Sequence, residues 1–226
     1  MKPLADCRLY TFVDTAFLHG RDPALIARQL CEGGSDLIQL RAKNAPPAEV
    51  RRLAEAILPV TRAAGIRLVI NDHPDIARDL GAEFCHLGQE DFFDAGHRQV
   101  SELRPPGGAL QFGLSTHDAA QAQRALAAGA DYLGVGPVYA TGTKPGARPV
   151  TLDYVRWAAA HVTIPWFAIG GINLDTLDAV LAAGARRICV VSAILNAPDL
   201  TRACQEFVRR LEFASETPDK VPPRGH

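Results

Sequence analysis

Two aspartates stand directly after short apolar runs of the sequence. Asp72 closes RLVIND, which begins at Arg67, and Asp91 follows GAEFCHLGQ, which begins at Gly81. If these runs are neighbouring parallel strands, the two carboxylates follow adjacent strand ends and can share one hard cation. Mg²⁺ needs few protein oxygens when phosphate oxygens and waters complete its coordination. The pair therefore predicts Mg²⁺ bound together with a phosphorylated substrate.

Basic and hydroxyl side chains after other apolar runs suit phosphate groups. Arg41 and Lys43 lie at the end of the segment that contains LIQLR. Lys144 lies in the segment TGTKPG, where it follows Thr141 and Thr143 and precedes a proline. Such cations donate charge-assisted hydrogen bonds to phosphate oxygens. The chain has 4 lysines against 20 arginines. Two of these scarce lysines lie in the motifs, and a compact ammonium is not interchangeable with a planar guanidinium.

Small residues follow two further runs and predict a phosphate cradle. GGI at 170–172 and SAI at 192–194 bring small side chains and bare backbone amides to the ends of apolar segments. Phosphate-binding barrels use the loops after their last two strands in this way.

Each of these residues also has a simpler structural interpretation. The aspartates can cap a helix or a turn, the glycines can be turn formers, the lysines can be solvated loop charges, and Gln39 can fill a layer of the barrel. His73, His86 and His117 fit packing or capping roles better than the role of a catalytic base. These interpretations do not explain why the unusual polar residues all fall at the same end of the strands.

The elements that position these residues are visible as an internal repeat. A glycine that closes a helix is followed by a short apolar strand at four places, beginning at Gly33, Gly81, Gly129 and Gly184. The spacing of about 50 residues suits two strand–helix units each. The additional strands begin near Arg8, Arg67, Ala109 and Ile164.

Eight alternating units predict an α/β fold, a single (β/α)₈ TIM barrel of the phosphate-binding type, over residues 1–213. An open doubly wound sheet is the alternative. Asp22 and Pro23 predict the start of the first helix. The polar, proline-rich residues 214–226 predict a disordered tail.

Composition limits the partners. The 226 residues are 47% hydrophobic, which suits one large core. With 24 basic and 25 acidic residues, there is no charge excess that favours nucleic acid or a membrane surface, so small molecules are the expected partners. Five cysteines without a CxxC pair, and no targeting or membrane-spanning pattern, predict a cytoplasmic protein with reduced thiols. The sequence leaves open whether the chain forms a homo-oligomer.

Taken in order, the motifs resemble those of the thiamine phosphate synthase family. The similarity runs from residue 8 to residue 210 and is carried by QLRAK at 39–43, IND at 70–72, HLGQED at 86–91, GLSTH at 113–117, GPVYATGTKPGARP at 136–149, IGGI at 169–172 and VVSAI at 190–194. Where the family usually has Asp-Gly-Val before HLGQ, this chain has Glu83, Phe84 and Cys85. We expect repacking at these positions without a change of chemistry.

The resemblance implies a reaction and a role for each matching residue. The reaction joins 4-amino-2-methyl-5-hydroxymethylpyrimidine diphosphate to a thiazole phosphate, carboxylated or not, with Mg²⁺ held by Asp72 and Asp91. Pyrophosphate leaves first and the thiazole nitrogen attacks the resulting carbocation. The resemblance implies that the pyrimidine diphosphate contacts Gln39, Leu40, Arg41, Ala42, Lys43, Asn71, Ser115 and Lys144. It implies that the thiazole phosphate contacts Thr141, Gly142, Thr143, Gly171, Val191 and Ser192. Catalysis is expected from Arg41, Lys43, Ser115 and Lys144.

Three other functions stay open at this point. A thiazole tautomerase on a related barrel needs a base and no metal pair. A non-catalytic phosphate-binding barrel binds the substrates without turnover, and a phosphosugar isomerase responds to sugar phosphates instead. We also expect the loop from Ala140 to Pro149 to close over the substrates, because Gly142 and Gly146 can absorb backbone rotation.

Overall fold

The chain folds into a closed barrel of parallel strands. The computed structural model describes residues 1–104, 107–140 and 149–216. Within these residues eight strands pair in sequence order, and β8 pairs with β1. This closure confirms the (β/α)₈ barrel and excludes the open sheet. The strands are β1 (Leu9–Asp14), β2 (Leu37–Arg41), β3 (Arg67–Asn71), β4 (Phe84–Leu87), β5 (Gln111–Thr116), β6 (Tyr132–Val135), β7 (Trp166–Ala168) and β8 (Ile188–Cys189).

Helices follow the strands and cover the outside of the barrel. They are α1 (Pro23–Glu32), α2 (Pro47–Ala63), α3 (Pro74–Leu80), α4 (Gln89–Asp94), α5 (Ala119–Ala127), α6 (Thr151–His161), α7 (Leu177–Ala182), α8 (Ser192–Leu195) and α9 (Leu200–Glu216). The predicted start of α1 is confirmed, since the Asp22 side chain accepts a hydrogen bond from the amide of Ala24 at 3.1 Å. In the part of the chain that is described, no helix has both the length and the apolar character needed to span a bilayer.

The last helix runs further than the sequence predicted. The tail was expected to begin at residue 214, but α9 continues to Glu216. The alanine and serine that follow Phe213 are compatible with a helix. Residues 217–226 lie outside the described part of the chain, so the predicted tail stays a prediction there.

Aromatic rings fill the inside of the barrel below its mouth. Tyr10 on β1 packs edge-on against Phe167 on β7, with ring centroids 5.3 Å apart. Tyr132 on β6 contacts Phe84 on β4 at 5.7 Å and Phe167 at 5.8 Å. Tyr10 also meets Tyr132, with ring centroids 6.1 Å apart. Because β1 and β6 do not pair, these two rings can meet only in the interior of the barrel. They close the barrel below the C-terminal strand ends, so any ligand must bind above them.

A glycine on β5, Gly113, leaves room for the ring of Tyr132. A Cβ atom placed on Gly113 of β5 would lie 2.0 Å from Cζ of Tyr132. The phenol ring therefore occupies the volume where any other residue at position 113 would put its side chain.

Gly113→Ala is expected to lower the free energy of unfolding by about 1–3 kcal/mol, because an added methyl overpacks a filled core. Urea denaturation measures the change. In the double variant Gly113→Ala/Tyr132→Leu, the smaller side chain relieves the overlap, so the loss should be less than the sum of the two single losses. Strictly additive losses would contradict the steric explanation.

Candidate active site

A cavity opens at the C-terminal ends of the strands, directly above the aromatic rings. The side chains or backbone atoms that line it come from β1 to β8 and from the turns after β7 and β8. Parallel strands deliver their last residues to this one mouth, so residues far apart in the sequence converge there. The predicted binding residues that line the cavity are Gln39, Arg41, Asn71, Ser115, Gly171, Val191 and Ser192.

Arg41 is held in the cavity wall by a buried carboxylate. Its Nη1 lies 2.7 Å from Oδ2 of Asp14, whose side chain is 1% exposed, while that of Arg41 is 19% exposed. The other carboxylate oxygen accepts a hydrogen bond from the amide of Ala16 at 3.0 Å. Asp14 thus fixes one side of the guanidinium, and the remaining N–H groups can serve a phosphate. Sequence reasoning missed Asp14, although its position at the end of β1 was a usable signal.

Lys43, Asp72 and Asp91 line a second depression beside the central cavity. Lys43 Nζ lies 3.2 Å from Oδ2 of Asp72, and both side chains are partly open to solvent. Neither aspartate caps a helix, because α3 has His73 at its N-cap, α4 has Gly88, and neither helix has a side-chain cap bond. The two predicted metal ligands therefore line one depression, and neither of them is the N-cap residue of a helix.

The backbone at Asp72 is left-handed, with a φ of 62°. Aspartate adopts this conformation more often than most residues other than glycine. In the described ranges, no group of three or more His, Cys, Asp or Glu side chains is arranged to hold a metal. Mg²⁺ does not require such a group, since one or two carboxylates suffice when phosphate oxygens and waters supply the rest. The donor set of Asp72 and Asp91 fits Mg²⁺ that arrives with a diphosphate.

The segments that were predicted to cradle a phosphate line the other side of the cavity. Gly170 has a φ of 101°, and a Cβ atom there would lie 2.3 Å from Cβ of Pro137. Only glycine lets the turn after β7 approach the segment after β6 this closely. Across from it, Val191 is the N-cap and Ser192 the first residue of α8, where the first backbone amides have no partner within the helix. Small residues and backbone donors therefore face the same space.

Some predicted residues do not contribute side chains to the cavity. Leu40 and Ala42 are 1% and 7% exposed and pack in the hydrophobic core, so they can contact a ligand only through their backbone. The alternation of a strand explains this, because Gln39 and Arg41 point to the other face. Thr141, Gly142, Thr143 and Lys144, with the predicted lid, lie outside the described residues.

Two histidines and two tyrosines line the cavity in addition to the predicted set. His86 contacts Ser115 Oγ through Nε2 at 2.9 Å and the Tyr132 hydroxyl through Nδ1 at 3.1 Å. Nδ1 of His117 hydrogen-bonds to the carbonyl oxygen of Gly136. The tyrosines were missed because an aromatic residue in an apolar strand gives no sign of which strand it meets across the barrel.

The thiol in the cavity is not a nucleophile at neutral pH. Cys189 is one of the lining residues, and burial raises its pKa well above the ordinary value of a thiol. A protonated thiol is unreactive.

Comparison with known proteins agrees with this geometry. A family model described as thiamine monophosphate synthase matches residues 9–194. A thiamine-phosphate synthase of Thermus thermophilus is 48% identical over 180 residues, which cover 79% of this chain and 84% of that protein. The thiamine-phosphate synthase of Acidothermus cellulolyticus is 44% identical over 214 residues, covering 94% and 98%.

Solved structures give the same result. Thiamine phosphate pyrophosphorylase from Pyrococcus furiosus superposes with a TM-score of 0.82 at 31% identity, covering 93% of this chain and 98% of that one. A 3-hexulose-6-phosphate synthase superposes with a TM-score of 0.61 at 20% identity, which shows the shared barrel alone. The cavity, the family match and the relatives agree, and the chain belongs to the thiamine monophosphate synthase family.

Proposed function

We propose that the cavity holds a pyrimidine diphosphate and a thiazole phosphate side by side and joins them with the help of Mg²⁺. Membership of the family makes the chain a transferase of thiamine biosynthesis. The observation that carries the proposal is the division of the cavity wall. Arg41, Asn71 and Ser115 line one part, and the glycine turn after β7 with Ser192 lines the other.

The two parts suit the two substrates. Arg41 and the neighbouring Lys43 provide cations for the diphosphate, and Gln39 and Ser115 provide polar contacts for the ring. The backbone amides around Gly171 suit the single phosphate of the thiazole, because they donate without adding bulk. Each substrate is then fixed with its reacting atom toward the other.

The residues present suit a reaction driven by departure of the leaving group. We infer that Asp72 and Asp91 hold Mg²⁺, which when bound neutralises charge on the departing pyrophosphate. Arg41 and Lys43 stabilise the same charge by hydrogen bonds. When pyrophosphate leaves, the bond from the pyrimidine methylene carbon to oxygen breaks and a carbocation remains. The thiazole nitrogen donates its electron pair to that carbon, so no general base is needed.

The aromatic and aliphatic side chains that line the cavity protect this step. Phe12, Phe167 and Ile169 line the cavity together with the tyrosine rings. Water that reached the cation would convert it to the alcohol, and an apolar wall reduces that competition.

The direct test is formation of thiamine monophosphate and pyrophosphate from the two purified substrates, with and without Mg²⁺. The proposal predicts both products in equal amounts, and little of either after treatment with a chelator. Tight binding of each substrate without pyrophosphate release would indicate a non-catalytic barrel instead. Isomerisation of the thiazole phosphate alone would indicate a tautomerase.

Lys144→Arg is expected to lower turnover by about tenfold or more, because a planar guanidinium cannot take the place of a compact ammonium between phosphate oxygens. The proposed role of Lys144 rests on the family motif and on the scarcity of lysine. Steady-state kinetics measures the change, and Lys220→Arg is the matched control. Equal activity of the two variants would show that Lys144 is an ordinary surface charge.

The expected cytoplasmic location and a homo-oligomeric state stay predictions. The same holds for the choice between the two forms of the thiazole phosphate.

A further inference from the structure

Five polar side chains form a continuous hydrogen-bonded chain across the floor of the cavity. Nε2 of Gln39 lies 2.5 Å from the hydroxyl of Tyr10, which lies 3.1 Å from the hydroxyl of Tyr132. The Tyr132 hydroxyl lies 3.1 Å from Nδ1 of His86, and Nε2 of His86 lies 2.9 Å from Oγ of Ser115. The residues come from β2, β1, β6, β4 and β5, so the chain crosses the inside of the barrel. We call it the polar chain.

The inner members of the polar chain are shielded from solvent. Tyr10 and Tyr132 are each 1% exposed and Gln39 is 3% exposed. Burial raises the pKa of both phenols well above the ordinary value, so each hydroxyl keeps its single hydrogen. Without bulk water as an alternative partner, each group must satisfy its hydrogen bonds within the chain.

The direction of the polar chain follows from the chemistry of its ends. The amide nitrogen of Gln39 can only donate, so the Tyr10 oxygen accepts. Tyr10 then gives its one hydrogen to Tyr132, and Tyr132 gives its hydrogen to Nδ1 of His86. A neutral imidazole whose Nδ1 accepts carries its proton on Nε2. That N–H donates to Ser115 Oγ.

This direction of the hydrogen bonds determines the role of Ser115, which lines the cavity. Its oxygen already accepts from His86, and its own hydrogen therefore points to another acceptor. We propose that the polar chain makes Ser115 a hydrogen-bond donor to the pyrimidine diphosphate, with Tyr10, Tyr132 and His86 acting as positioning residues. This inference rests on the proposed function for the identity of the acceptor.

Strand β5, which pairs with the strand of Tyr132, accommodates the polar chain. Gly113 leaves the space that the Tyr132 ring occupies, and Gly113 and Ser115 lie on the same face of β5. The missing side chain and the serine are thus adjacent on the wall that carries the end of the polar chain.

The protonation of His86 is measurable directly. Long-range ¹H–¹⁵N correlation spectra of the whole protein, recorded without substrates at mildly alkaline pH, distinguish a protonated ring nitrogen from an unprotonated one. His86→Asn identifies the signals of His86 among those of the 7 histidines. The wild-type protein is expected to carry the proton on Nε2. A proton on Nδ1, alone or together with Nε2, would overturn the direction of the polar chain.

Tyr132→Phe removes the donor to Nδ1 and keeps the ring. The His86 signals should then shift toward a mixture of the two tautomers. The kcat/KM for the pyrimidine diphosphate should fall about tenfold, as expected for one lost buried hydrogen bond, while the KM for the thiazole phosphate should not change. If Tyr132→Phe does not fold, Tyr10→Phe breaks the same chain one link earlier.

Tyr154→Phe is the matched control. It also removes a buried phenol hydroxyl, one that donates to Oγ1 of Thr116 at 2.7 Å, but Tyr154 does not line the cavity. Its His86 signals and kinetics should match those of the wild type. Unchanged His86 signals and kinetics in Tyr132→Phe would overturn the proposal. If the wild-type protein forms no thiamine monophosphate, the proposed function fails, and the nitrogen spectra still decide the direction of the chain.

Discussion

Replacing Asp72 by Asn should reduce Mg²⁺-dependent turnover by about 10²- to 10³-fold, because a metal on the leaving group supplies several kcal/mol of stabilisation. Asn is preferable to Ala at this position. The backbone φ of 62° is tolerated by Asn but strained for Ala, so Asn removes the charge without adding strain. Asp91→Asn should have a similar effect, since both carboxylates line the depression beside the cavity.

The measurement is the rate of pyrophosphate release as Mg²⁺ is titrated, together with urea denaturation. Asp91 is exposed and the Asp72 side chain is 26% exposed in its ion pair with Lys43, so stability should change by less than about 1 kcal/mol. Asp94→Asn is the control, because Asp94 is also an exposed acidic residue of α4 and does not line the depression. Wild-type turnover in both Asp72→Asn and Asp91→Asn would show that the carboxylates do not bind the metal.

The strands could be predicted because they combine two local signals. A helix closed by a glycine and a short run of branched apolar residues recur along the chain, and each needs only neighbouring residues to be recognised. Gly129 has a φ of 78°, as expected for the end of a helix, and β6 begins three residues later. The cavity could be located by a second argument, because the last residues of parallel strands converge on one mouth.

Contacts across the barrel could not be predicted in this way. Tyr10 meets Tyr132 over 122 residues of sequence, and nothing near either tyrosine indicates the other. Leu40 and Ala42 illustrate a different limit, because a family motif covers a whole segment whereas alternation sends only every second side chain into the cavity. Sequence reasoning therefore found which strand ends line the cavity but not how the floor of the cavity is organised.

The position of Asp14 could be predicted from the sequence, whereas its partner could not. Its place at the end of β1 is the same kind of position that identified Asp72 after β3, so the convergence rule applied to it. Its role depends on the register of β1 against β2, which pairs Asp14 with Arg41. That register is a property of the folded sheet, and it explains why a binding residue and its partner were not recognised together.

Arg41→Leu should lower the free energy of unfolding by about 3 kcal/mol, because it leaves the buried carboxylate of Asp14 without its partner. The value lies at the lower end of the range for buried pairs since Arg41 is 19% exposed. The same variant should lose about 10- to 100-fold in kcat/KM for the pyrimidine diphosphate, which corresponds to one charge-assisted hydrogen bond to phosphate.

Adding Asp14→Asn to Arg41→Leu separates the two effects. The amide oxygen of Asn can still accept from the amide of Ala16, the bond that Asp14 makes at 3.0 Å, and no unpaired charge remains buried. The double variant should therefore regain most of the lost stability while its kcat/KM stays low, because the phosphate contact of Arg41 is still missing. Denaturation and kinetics of the four proteins in this cycle measure both quantities.

If Arg41→Leu alone is as stable as the wild type, the pair does not stabilise the fold. If the double variant regains activity together with stability, Arg41 serves the structure and does not bind the diphosphate.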